Sequence, residues 1–92
     1  MTGLPAPDAP HDDAARTLAA VWRIESPRVI ARLARMTGDL AIAEELAQDV
    51  MVAALEAWPR EGVPASPGAW LMTSARNRAV DWLRRHALQA RW

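Results

Sequence analysis

The chain has 92 residues and no net formal charge, with 51% hydrophobic residues, no cysteine, and eleven arginines against no lysine. Such a length holds one small domain. Without cysteine, disulfides and thiolate metal sites are excluded, and two isolated histidines, His11 and His86, offer no ligand cluster.

Residues 1 to 12, with Pro5, Pro7 and Pro10 beside Gly3 and Asp8, have little to bury and read as a disordered or loosely attached segment. They contain no basic stretch followed by an apolar one, and no run in the chain approaches the ~20 apolar residues of a membrane span, so a cytoplasmic protein with no membrane contact is expected. From Asp13 to Thr37, apolar residues recur at helical spacing at Leu18, Trp22, Val29, Leu33 and Met36. Ser26 and Pro27 interrupt that pattern as a possible cap and first helical residue, which leaves one kinked helix or two meeting near residue 26. Gly38 marks a stop.

Asp39 then caps a helix in which Leu40, Ala43, Leu46, Ala47, Val50, Ala54 and Trp58 share the inner side, with Pro59 as its expected end. The stretch 59 to 67, with three prolines and one glycine, predicts a restricted loop. Ser66 and Pro67 open a last helix to about His86, whose inner side would be Leu71, Ala75, Ala79, Trp82 and Leu83. The expected fold is all-α, a compact domain of three or four helices over 13–86, with 87–92 as a tail or the start of a linker.

Charge separates along this order. Residues 36–70 hold six acids against Arg60, whereas residues 71–92 hold five arginines against Asp81. On the middle helix, Glu45, Gln48, Asp49, Val52 and Glu56 form a stripe opposite the apolar side. That stripe is either a solvated face or a docking face for a basic helix of another protein, and spacing leaves both open. On the last helix the outward stripe carries Trp70, Thr73, Asn77, Asp81 and Arg84, flanked by Arg76 and Arg85. Trp70 either folds back under the loop to close the core or offers an indole face to a ligand. An indole, an amide, a hydroxyl and several guanidinium groups together suit single-stranded nucleic acid, where bases stack and phosphates attract charge.

Catalysis finds no support, because Thr73, Ser74 and His86 do not pair by helical position and no Gly-rich phosphate loop is present. No catalytic residue, metal site or cofactor is expected.

The ordered pair DLAIAEELAQDVMVAALEAW (39–58) and WLMTSARNRAVDWLRR (70–85) resembles region 2 of the sigma-70 family of bacterial transcription initiation factors, most closely the extracytoplasmic-function group. The likeness spans about residues 14–86, and the loop PREGVPASPGAWL is similar to a subgroup whose members often carry an extra carboxyl-terminal domain. It implies that the acidic helix docks on the clamp helices of the largest catalytic subunit of core RNA polymerase, through Glu45, Gln48, Asp49, Met51 and Leu55. It implies also that the loop and last helix hold the non-template strand of the promoter minus-10 element, through Arg60, Ser66, Trp70, Thr73, Arg76, Asn77, Arg84 and Arg85. An anti-sigma factor is a further implied partner. Since the sequence stops near the end of region 2, the resemblance implies a fragment without the helix-turn-helix that reads the minus-35 element, with weak, salt-sensitive DNA binding by itself. The competing reading is a helical protein-interaction module, an adaptor or anti-sigma target, that binds no DNA.

Overall fold

The computed structural model describes residues 10–90, with side chains described for 13–87. Three helices follow in order: α1 Pro10–Thr37, α2 Leu40–Glu61 and α3 Pro67–Ala90. The segment 1–9 lies outside the described residues, and α1 begins at Pro10 rather than at Asp13.

Helix α1 runs unbroken through Pro27. Proline removes the N–H that the Arg23 carbonyl would receive. Both residues lie on the exposed side, so that carbonyl is left toward water. Leu18 before the proline and Val29 and Leu33 after it are all buried in one core, which holds the two halves of the helix to a common surface.

The reversal into α2 takes only Gly38 and Asp39. Gly38 has φ +73°, a conformation that glycine adopts without steric cost, and its N–H donates to the Ala34 carbonyl at 2.8 Å. Thr37 adds a hydroxyl donor to the Leu33 carbonyl at 2.8 Å. Asp39 then accepts the Ile42 N–H at 3.1 Å and serves as the N-cap of α2. A turn this short folds α2 back along α1, and these two helices share the largest interface.

Helix α2 buries Ala43, Leu46, Ala47, Val50, Ala54 and Trp58, six of the seven residues expected on its inner side. Leu40, on the first turn of α2, is the exception at 61% exposure. Pro59 does not end the helix. Its fixed φ fits a helical turn, and the cost is limited to one missing donor near the helix end. Termination comes at Gly62, φ +94°, whose N–H donates to the Trp58 carbonyl at 2.8 Å. The true connection is therefore residues 62–66, shorter than the loop expected from prolines alone.

Pro67 opens α3, where a missing N–H is harmless, and the Trp70 N–H donates to the Ser66 carbonyl at 3.0 Å. Leu71, Ala75 and Ala79 are fully buried. Beyond Ala79 the helix outruns the core: Trp82 is only half-buried and Leu83, expected inside, is 37% exposed. Local pairs accompany this part, Asp81 with Arg85 at 3.3 Å and His86 stacked on Trp82 at 4.5 Å between ring centroids. The helix continues past His86 to Ala90, so residues 87–90, expected as a tail or the start of a linker, are helical.

No polar or charged side chain is buried among the described residues, so apolar burial drives the assembly. Leu33→Ala is expected to lower the unfolding free energy by about 2–5 kcal/mol through lost transfer energy and a cavity. Leu40→Ala should stay within about 0.5 kcal/mol of the parent. Urea unfolding followed by circular dichroism measures both, and equal losses would mean that α2 is rotated from the face described.

Candidate functional site

A groove of about 640 Å³ runs along α3 and is closed at one end by the connection from α2. Pro64 and Ser66 come from the connection, while Ala69, Trp70, Thr73, Ser74, Asn77, Arg78 and Asp81 come from α3. The helical residues recur at intervals of three and four, which places them along one strip of the helix. Pro67 starts the helix early enough to bring Trp70 beside the connection.

The indole of Trp70 both closes the core and borders the groove. It is half-buried and packs against the core, meeting Trp58 edge to face with ring centroids 5.6 Å apart and planes at 77°. It also lines the groove. Thr73 and Asn77 are exposed, whereas Ser74 and Arg78 are half-buried. The Arg78 Nε is buried with no hydrogen-bond partner. Asp81, the one carboxylate of the lining, is engaged by Arg85.

Of the residues that the resemblance assigns to a nucleic-acid strand, the structure brings Ser66, Trp70, Thr73 and Asn77 together in this groove. Arg60, Arg76, Arg84 and Arg85 are not among its lining residues. Arg60 is drawn to the end of α2, where its Nε donates to the Glu56 carbonyl at 3.1 Å. Arg76 and Arg84 are exposed on α3 outside the lining. Sequence reasoning missed Ser74 and Arg78 as groove residues. Their four-residue spacing beside the Trp70, Thr73 and Asn77 strip was the signal available.

On α2, Ala41, Glu44, Glu45, Gln48 and Asp49 line a second, shallower depression of about 530 Å³. Glu45, Gln48 and Asp49 thus lie together as the stripe predicted. Met51 belongs to an adjoining depression with Trp22, Ile30, Glu44, Ala47 and Gln48. Leu55, 42% exposed, stands further along the helix with Val52, which is 50% exposed. Glu44, Glu45 and Asp49 make no ion pair among the described residues, so their charge is not neutralised within the fold. The acidic depression and the α3 groove share no residue.

A third depression lies where α1 meets the first turns of α3 and is lined by Glu25, Arg28, Gly68, Ala69, Met72 and Thr73. The Glu25 carboxylate packs so closely on Gly68 that a Cβ there would stand 2.8 Å from its Oε2. An acid at that place faces the positive end of the α3 dipole. Among the described residues, no cluster of three or more acids and histidines is placed to hold a metal ion, and no helix is long and apolar enough to cross a membrane.

The family model described as Sigma-70 region 2 matches residues 21–89. An uncharacterized protein of Rhizobium meliloti (strain 1021) is 39% identical over 61 residues, a match that covers 66% of this chain and 14% of that protein. The chain thus corresponds to a small part of that relative's length. No solved structure matches it.

Because Asn77 and Arg84 are exposed and make no side-chain hydrogen bond or ion pair among the described residues, Asn77→Ala and Arg84→Ala are expected to unfold within about 0.5 kcal/mol of the parent. Thermal melts check this, and a larger loss in either would show a structural role that the described contacts lack.

Proposed function

The chain belongs to the sigma-70 region 2 family, and from that membership we propose that it serves transcription initiation as the part of an alternative sigma factor that docks on core RNA polymerase and holds the melted minus-10 element. The extracytoplasmic-function group is the one its motifs resemble. The observation that carries the reading is the pairing of two separate surfaces, a groove with an indole, an amide and hydroxyls on α3 and an unneutralised acidic stripe on α2.

The acidic stripe supports docking on the clamp helices of the largest catalytic subunit. Glu44, Glu45 and Asp49 supply the charge that steers a basic helix, and exposed Val52 and Leu55 supply apolar contact next to it. An anti-sigma factor would act by occupying the surfaces that polymerase or promoter needs.

The α3 groove supports capture of unpaired bases. A base stacked on Trp70 contributes about 1–3 kcal/mol. Unpairing and unstacking a base costs a few kcal/mol. One indole therefore only balances the cost of one opened position, and strand opening needs the remainder from polymerase contacts. Held alone, the domain binds preformed single strand weakly and does not melt duplex. Its role is recognition and positioning rather than catalysis, and its place of action is the cytoplasm, where the promoter is.

Two measurements test the reading. Affinity capture by core polymerase is expected to fall at least tenfold in Asp49→Arg, and capture unchanged by that reversal would remove the docking assignment. Tryptophan fluorescence of the parent should change on titration with single-stranded minus-10 oligonucleotides, with a blunted response in Trp70→Ala and Asn77→Ala. Identical binding curves in all three would overturn the groove as the strand site.

A further inference from the structure

Arg78 is the arginine that the groove contains and that the outward stripe of α3 does not announce. Of the arginines of α3, Arg76, Arg84 and Arg85 lie outside the lining, and Arg85 is engaged by Asp81 at 3.3 Å. Arg78 makes no ion pair among the described residues. Its side chain lines the groove, and its Nε is buried without an acceptor. The Nε is covered by the fold, so the terminal Nη1 and Nη2 are the donors of this guanidinium that remain open to a ligand in the groove. The neighbouring carboxylate, Asp81, pairs through its Oδ2 with Arg85 and makes no ion pair with Arg78.

We propose that Arg78 is the phosphate-binding residue of the groove, receiving a backbone phosphate of the bound single strand on its planar fork. This rests on the single-strand reading of the groove given above. A phosphate offers two oxygens that match the paired Nη1 and Nη2 donors, the end of the group that the covered Nε leaves open. Arg78 stands eight residues beyond Trp70, about 12 Å along the helix at 1.5 Å per residue. A strand rising 3.4 Å or more per nucleotide covers that distance in about four nucleotides or fewer. The phosphate on Arg78 therefore belongs to a neighbour of the base stacked on Trp70. Thr73 and Asn77 lie between the two anchors and face the bases that the strand carries across them. Trp70 then fixes one point of the strand, Arg78 fixes a second, and the polar side chains between them read in a defined register.

The alternative for Arg78 is packing alone, its methylene stem covering apolar surface. Oligonucleotide affinity measured across a salt series separates the two. Arg78→Gln is expected to bind about tenfold more weakly at low salt and to show a log–log salt slope shallower by about 0.7. Arg78→Lys should keep the slope and lose part of the affinity. Replacing the phosphates of the oligonucleotide one at a time by neutral methylphosphonates should weaken the parent at one position within about four nucleotides of the stacked base. Arg78→Gln should be indifferent at that position. Parent-like slope and affinity in Arg78→Gln, with the parent itself binding, would overturn the Arg78 assignment and leave the groove assignment standing. An acidic peptide that competes as well as the oligonucleotide for the parent would also overturn it. Absence of any oligonucleotide binding by the parent would remove the single-strand reading and this inference together.

Discussion

The burial of α2's alanine-rich side against α1 is the constraint from which the other features follow. Ala43, Ala47 and Ala54 are small enough to let the helices close, while Leu46, Val50 and Trp58 fill the core that α2 shares with its neighbours. Once that side faces inward, the 3.6-residue period leaves Glu45, Gln48, Asp49 and Val52 on the outside. Their common exposure is a result of core packing, before any partner is considered. Trp58 extends the same relation to α3, since its ring supports Trp70 and so sets the depth of the groove. A single apolar core thus locates both surfaces.

The charges on those surfaces do not cancel each other. The three ion pairs among the described residues, Asp13 with Arg16, Glu25 with Arg28 and Asp81 with Arg85, each join residues one turn apart on the same helix. Exposed pairs of this kind contribute about 0–1 kcal/mol and add little to the fold. None links the acids of α2 to the arginines of α3. With a screening length of about 8 Å at physiological salt, each surface acts on its own surroundings. The neutral total therefore conceals an acidic depression on α2 and an excess of arginine along α3.

Long periodic stretches were legible in the sequence, and positions where the elements end were less so. The inner side of α2 could be read because six of its apolar residues repeat at helical spacing and all six are buried in the core. Leu40 and Leu83 carry the same pattern but are exposed, Leu40 on the first turn of α2 and Leu83 past the last buried residue of α3, and periodicity does not contain how far the core reaches. Pro27 and Pro59 are similar. Each breaks a hydrogen bond locally, yet whether the helix breaks depends on what holds it on either side. For the candidate site, Trp70, Thr73 and Asn77 were read from their spacing and from the family likeness. Arg60 was not legible as a helix-end donor, because its reach back to Glu56 depends on α2 continuing past Pro59. Arg78 escaped because it lies one residue, and so about 100°, from Asn77, on the edge of the strip that turns toward the core.

Gly68 and Glu25 have a consequence for how the molecule can vary. The absence of a side chain at residue 68 is what admits an acid from the middle of α1 to the first turn of α3. Size at one position and charge at another, forty-three residues apart in the chain (25 to 68), are therefore a single structural choice. Alanine at residue 68 would displace the carboxylate rather than the backbone, since the atoms in its way end a flexible side chain. The displaced acid would leave from a depression that includes Thr73, which also lines the groove. A change of size at residue 68 would thus be felt at the edge of the groove as a change in local potential, through the movement of an acid that α1 supplies.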